Sequence, residues 1–161
     1  MQVDLRHANS WTLGLQEVPL SELLQTLTVN SVAPFLLISR LMPLLQRSPS
    51  ARKFIVNVSA MEGQFGRVSK GCKHPHTNMA KAALNMLIKT AAIEVKRSQP
   101  NAVLLALHPG TVNSRLSQPF RGSEIGRPAS EAADDLLRVI DGLGPEASGG
   151  FYAYSGEALP W

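Results

Sequence analysis

Phe54-Ile55-Val56-Asn57-Val58, running into Ser59-Ala60, is the stretch on which the fold turns. It is short, β-branched and apolar without strict alternation. A run of that kind suits a strand covered on both faces rather than one with a wet side. A second such run, Ala102-Val103-Leu104-Leu105-Ala106-Leu107, leads into His108-Pro109-Gly110. Between them, Thr77 to Lys96 is rich in strong helix formers: Met79, Ala80, Ala82, Ala83, Leu84, Met86, Leu87, Ala91 and Ala92. Its apolar content extends nearly all round, and its alanines permit close approach of another helix. Strand, helix, strand in this order implies parallel pairing with a right-handed crossover.

Working outward, Ser21 is placed to cap a helix that reaches about Leu45, with Leu23, Leu24, Leu27, Val32, Phe35 and Leu36 among its apolar positions. Pro34 lies inside it and has no N–H, so the carbonyl of Asn30 loses its helical partner. That carbonyl either has a role, or Asn30 is incidental to a kinked core helix. Past the second strand, an irregular stretch from Asn113 to Arg127 precedes a helix over Glu131 to Leu143. Gly149-Gly150 then introduces a strand, Phe151-Tyr152-Ala153-Tyr154. Residues 1–20 read as a poorly ordered lead-in, and 61–76, with Gly63, Gly66, Gly71 and Pro75, as loop.

Size and composition set the bounds. At 161 residues and 44% hydrophobic, the chain is long enough for one domain with a sizeable core and too short for two. The net charge of +4 is scattered, except where Arg67, Lys70 and Lys73 fall near His74 and His76. That group is a solvated loop or an anion site, such as one for a cofactor phosphate. No zinc-finger or RNA-binding signature accompanies it, so nucleic acid is not an expected partner. Cys72 is the only cysteine, which excludes an intrachain disulfide and a cysteine-based metal cluster and fits a reducing, cytoplasmic setting. No metal site is expected. No 18 apolar residues run together, so the expectation is a soluble chain without a membrane segment.

Four motifs occur in order: Val29-Asn30-Ser31-Val32-Ala33-Pro34-Phe35, Ile55-Val56-Asn57-Val58-Ser59-Ala60, Asn78-Met79-Ala80-Lys81-Ala82-Ala83-Leu84-Asn85-Met86, and His108-Pro109-Gly110-Thr111-Val112. Together they resemble the short-chain dehydrogenase/reductase family. The ending, Gly149 to Gly156 with Pro160-Trp161, is similar to its C-factor-like branch. The resemblance runs from about Leu20 onward. It implies an α/β fold, here a partial Rossmann-like parallel sheet of three main strands with helices on both faces, the C-terminal half of a doubly wound fold. It further implies NAD or NADP, and hydride transfer to or from a small carbonyl or alcohol. A homo-oligomer packed through the helices around Asn30 and Lys81 is also implied.

The family's chemistry needs a phenol to give or take the alcohol proton, a lysine one turn later, and a serine hydroxyl for the substrate oxygen. By resemblance, Asn30 supports a water relay, Lys81 holds the nicotinamide ribose, and Pro109, Gly110, Thr111 and Val112 line the nicotinamide end. A lysine snorkelling from an apolar helix is the alternative for Lys81. Four residues before Lys81 stands Thr77, whose aliphatic hydroxyl is a far worse proton donor than a phenol. The catalytic serine aligns better with Ala60 than with Ser59, so Ser59 and Thr77 are residual candidates only. The span from Ala60 to Thr77 is longer than usual, and an insertion there re-aims His74, His76 or Glu62 toward the pocket. His76 is then either a replacement acid or a solvated loop histidine.

No glycine-rich turn precedes Ser21 to hold a pyrophosphate. Binding of NAD or NADP is therefore doubtful for this chain, and the expectation is an oxidoreductase by descent that is inactive as it stands. The alternative is a non-catalytic dimerisation or partner-binding module.

Overall fold

The computed structural model describes residues 9–68, 71, 73–114 and 126–161. Lys70, Cys72 and most of the stretch expected to be irregular lie outside them, as do residues 1–8 of the lead-in. Three strands form one sheet: β1 (Lys53–Val58), β2 (Ala102–His108) and β5 (Phe151–Ala153), in the order β1-β2-β5 with both pairings parallel. Lys53 faces Ala102 and Val58 faces Leu107, while Ala106 faces Phe151.

β2 is central, and Ala102 to Leu107 are all buried. The two faces of this strand divide the core by the period of two. Ala102, Leu104 and Ala106 pack against Leu84, Ile88, Ala92 and Val95 of the long helix α3 (Pro75–Ser98). Val103, Leu105 and Leu107 pack with Leu136, Val139 and Ile140 of α4 (Ala129–Gly142) and with Ala147. The doubly covered sheet expected from the apolar runs is therefore present. It is a three-layer α/β arrangement with α3 on one side and α4 on the other.

The first helix runs from α1 (Leu20–Leu27) through a wide π turn at Thr28–Val32 into α2 (Ala33–Arg47). The Ala33 N–H donates to the Thr28 carbonyl, and Pro34, which has no N–H to give, follows directly at the start of α2. The chain absorbs Pro34 by one widened turn rather than by a break. Ser21 does not cap; Pro19 precedes the first turn without a side-chain cap. By length and composition Leu20–Arg47 could cross a membrane. Its Ile38, Met42 and Leu45 instead pack on the α3 side of the sheet.

Three boundaries differ from the sequence expectation. α3 starts at Pro75 rather than Thr77, because proline suits the first turn of a helix. α4 covers Ala129–Gly142, and β5 stops at Ala153. Within the stretch expected to be irregular, β3 (Val112–Asn113) pairs in parallel with β4 (Arg127–Pro128), a contact between distant residues that local pattern cannot reveal. The lead-in also needs correction from Asn9 onward. Asn9 is buried, its backbone carbonyl accepts from the N–H groups of Thr12 and Leu13, and its side-chain oxygen accepts from Trp11. The Leu13 carbonyl in turn accepts from the His74 N–H at 2.9 Å, which ties the segment to the start of α3.

Candidate functional site

Parallel strands deliver their C-terminal ends to one side of a sheet, and a cleft of about 900 Å³ opens there. Asn30, Ser59, Ala60, Glu62, His74, Thr77, Lys81, His108, Pro109, Gly110, Thr111 and Val112 border it, together with Trp11 of the lead-in. Asn30, Ser59, Thr77, Lys81 and Pro109 to Val112, all singled out from sequence, meet in this one place, whereas His76 does not. Their side chains are not all directed alike.

Lys81 donates from Nζ to the Val58 carbonyl, 3.0 Å away at the end of β1. Burial pushes the Lys81 ammonium below its ordinary pKa, and the Glu62 carboxylate partly offsets that. Glu62 is itself paired with Arg67 at 2.9 Å. Asn30 lies in the π turn and donates from Nδ2 to the Thr26 carbonyl at 3.0 Å. The neighbouring Ser31 hydroxyl donates to the Ala80 carbonyl at 2.8 Å, pinning this turn to α3 just before Lys81.

Ser59 is buried, and its hydroxyl donates to the Asn85 side-chain oxygen on α3. It therefore braces the strand end against the helix. Thr77 donates its hydroxyl to the His74 carbonyl at 2.8 Å, and the His74 Nδ1 lies 3.1 Å from the Thr77 Oγ1.

Pro109 to Val112 form the opposite wall. Gly110 is in the left-handed region at φ +73°, and a Cβ there would stand 2.7 Å from the Tyr154 ring. The Arg127 guanidinium lies 4.0 Å over that ring and donates to the Pro109 carbonyl, while the Arg127 N–H donates to the Thr111 carbonyl at 3.0 Å. Arg127 also pairs with Asp135, whose carboxyl it holds below the usual range. This wall is thus a rigid turn clamped from behind.

His76 corrects a sequence expectation. It is neither a solvated loop residue nor a member of the cleft wall. Because α3 begins at Pro75, it lies buried in the first helical turn, and neither ring nitrogen has a partner in the structure. Burial lowers its pKa, with Glu22 raising it and His74 lowering it by smaller amounts. His108, at the end of β2, was not singled out from sequence, although a polar residue closing a buried strand is a usable signal. Burial lowers its pKa too, followed by opposing effects of Glu62 and Arg67 and a raising hydrogen bond to the Ser59 backbone.

Both imidazoles therefore stay neutral where those of the unfolded chain, with an ordinary value near 6.5, take up protons. Their stabilising effect is complete above that value and is lost as pH falls below it. The melting temperature is expected to drop between pH 7.5 and 5.5, and His76→Leu is expected to flatten the slope. Equal slopes for the two proteins would show that His76 is not held neutral by burial.

No protein-family model matches the chain. Individual proteins do. It is 31% identical over 148 residues to C-signal of Myxococcus xanthus, covering 92% of this chain and 84% of that protein. It is 30% identical over 171 residues to the short-chain dehydrogenase srdF of Neurospora crassa, covering 99% of this chain and 65% of that protein. Among solved structures, the NADPH-bound carbonyl reductase from chicken fatty liver superposes with a TM-score of 0.83 at 21% identity, over 98% of this chain and 64% of that one. The chain thus spans just under two thirds of the length of srdF and of the reductase.

Proposed function

The chain belongs to the short-chain dehydrogenase/reductase family, and on that premise we propose that its cleft is the nicotinamide-facing end of an oxidoreductase site. The reaction is hydride transfer between NAD or NADP and a small carbonyl or alcohol. One observation carries this reading: Asn30, Lys81 and Pro109 to Val112, separated by up to 82 residues in sequence, border a single cleft at the strand ends. The residues present suit a nicotinamide ribose. The Lys81 ammonium has three N–H donors and gives one to Val58, so two are available for ribose hydroxyls. Pro109 to Val112 offer a fixed backbone wall for the ring, and the cleft volume is ample for both. When bound, the nicotinamide supplies or accepts the hydride.

The family's tyrosine route is closed in this chain. Thr77 occupies the phenol's place, and its only proton is given to a backbone carbonyl. By that route the chain is inactive. The single cysteine is in keeping with a reducing, cytoplasmic setting for this chemistry.

The second reading, a non-catalytic dimerising module, has its own support. Val32, Phe35 and Leu36 on the first helix, and Met79, Met86 and Ile93 on α3, are large apolar side chains left exposed on helices of the same layer. A second copy of this chain would cover them.

Titration with NADH and with NADPH separates the two readings, followed by Trp11 fluorescence at the cleft rim and by the melting temperature, which a ligand of the native state must raise. Saturable binding in the micromolar range is expected for the oxidoreductase site. No binding at millimolar cofactor from a folded, dimeric sample would leave the module reading in its place.

A further inference from the structure

We propose that His74 is the proton-transfer residue of this cleft, with Thr77 as the positioning residue that fixes which ring nitrogen carries the proton. The proposal rests on the hydride-transfer reading above. It begins from the arithmetic of one hydroxyl. Thr77 has a single O–H, and the shorter contact directs it at the His74 carbonyl, 2.8 Å away, rather than at the imidazole. With its proton so placed, the Thr77 oxygen accepts from the imidazole Nδ1 at 3.1 Å, and the ring proton is assigned to that nitrogen, the opposite tautomer being the outcome that would overturn the assignment. In the neutral ring the lone pair then falls on Nε2, the remaining polar atom of the ring of a residue that borders the cleft.

The backbone is built for this placement. His74 is the only non-glycine residue at positive φ among the described residues, at +48°. Its N–H is held by the Leu13 carbonyl, and its own carbonyl accepts from the Thr77 N–H, the Asn78 N–H and the Thr77 hydroxyl. A strained conformation this thoroughly over-determined, beside a cleft, is characteristic of functional positions. The Trp11 ring, 5.0 Å from the imidazole centroid, closes one side. The other histidines among the described residues are less suited. His76 is buried outside the cleft wall, and the Nδ1 of His108 is sealed without a partner.

In carbonyl reduction, the imidazolium gives its Nε2 proton to the substrate oxygen as that oxygen becomes an alcohol. The neutral ring keeps its other proton on Nδ1, directed at Thr77, and Nε2 regains a proton from water. In alcohol oxidation Nε2 accepts the hydroxyl proton. Thr77, four residues before Lys81, thereby acts through the ring beside it.

The test combines ¹⁵N NMR of the imidazoles in the full chain with turnover of acetaldehyde and benzaldehyde by NADH and NADPH. Neutral His74 is expected as the Nδ1–H tautomer in the wild type and in Thr77→Ser, and as a mixture in Thr77→Val. His74→Gln is expected to lower turnover roughly 10²–10⁴-fold, the usual contribution of one acid–base group. Thr77→Val should lower it less, with Thr77→Ser restoring it. An Nε2–H tautomer in the wild type, or undiminished turnover in His74→Gln, overturns the proposal and leaves the hydride-transfer reading intact. Absence of turnover in the wild type sinks that reading, and the proton-transfer role with it.

Discussion

Phe151→Ala is expected to cost about 3–5 kcal/mol, the range for emptying an aromatic position in a close-packed core. Phe151 is 1% exposed and belongs to the cluster that joins β2 to α3, with Leu84, Ile88, Ala92, Leu104 and Ala106. Its ring also stacks on Trp161 at 5.6 Å, and its carbonyl accepts from the Leu159 N–H at 2.7 Å. Ring and backbone of this one residue therefore together hold a three-residue edge strand and the C-terminal tail, and the substitution removes the ring's share. Native domains are stable by only about 5–15 kcal/mol, so the loss is a large part of the whole. Urea unfolding measures it, and Trp161 fluorescence reports whether the tail detaches below the main transition. A cost under about 1 kcal/mol would mean that the cluster refills the space, contrary to the close packing argued for it.

The second large effect is at Gly63. It lies in the turn Met61–Gly63, after the end of β1, pressed against α3. A Cβ there would stand 2.7 Å from the Lys81 backbone carbon, and 2.8 Å from both the Lys81 carbonyl oxygen and the Asn85 Nδ2. A helix backbone cannot swing aside as a long side chain can. Gly63→Ala is expected to cost about 1–3 kcal/mol by overpacking. It should also displace the turn from α3, disturbing the Lys81 contact with Val58 and the Ser59 contact with Asn85. Gly66→Ala, with open space around its Cβ, is the control and should be close to neutral. Denaturant midpoints for the pair decide the point: equal values would show that the close approach of turn to helix is not what requires glycine. Cofactor titration of Gly63→Ala adds a functional readout, because Lys81 is carried on the helix that the turn touches.

These two sites mark how far local pattern reaches. The apolar runs Phe54 to Val58 and Ala102 to Leu107, with the alanine-rich helix between them, were legible because burial on both faces demands such composition. Parallel strands end together, and the cleft lies at those ends. Lys81, Asn30 and Pro109 to Val112 could be named from their motifs. What could not be read was the contact partner of each group. Thr77 and Ser59 both appear as hydroxyls near a reacting centre, yet one is committed to the His74 carbonyl and the other to Asn85. His76 resembles a loop histidine until Pro75 is seen to open the helix.

Sequence alone therefore determined the layers, the strand order's parallel sense and the neighbourhood of the cleft, because periodicity and composition are set by which faces are buried. Tertiary structure alone decided the pairing of Val112 with Arg127, the docking of Asn9 to Leu13 on α3, and the close fit of Gly63 to that helix. It also decided the direction of every hydroxyl and imidazole in the site. Those outcomes depend on distances of a few tenths of an ångström between residues far apart in the chain, and hydrogen bonds and steric contact change over just that range.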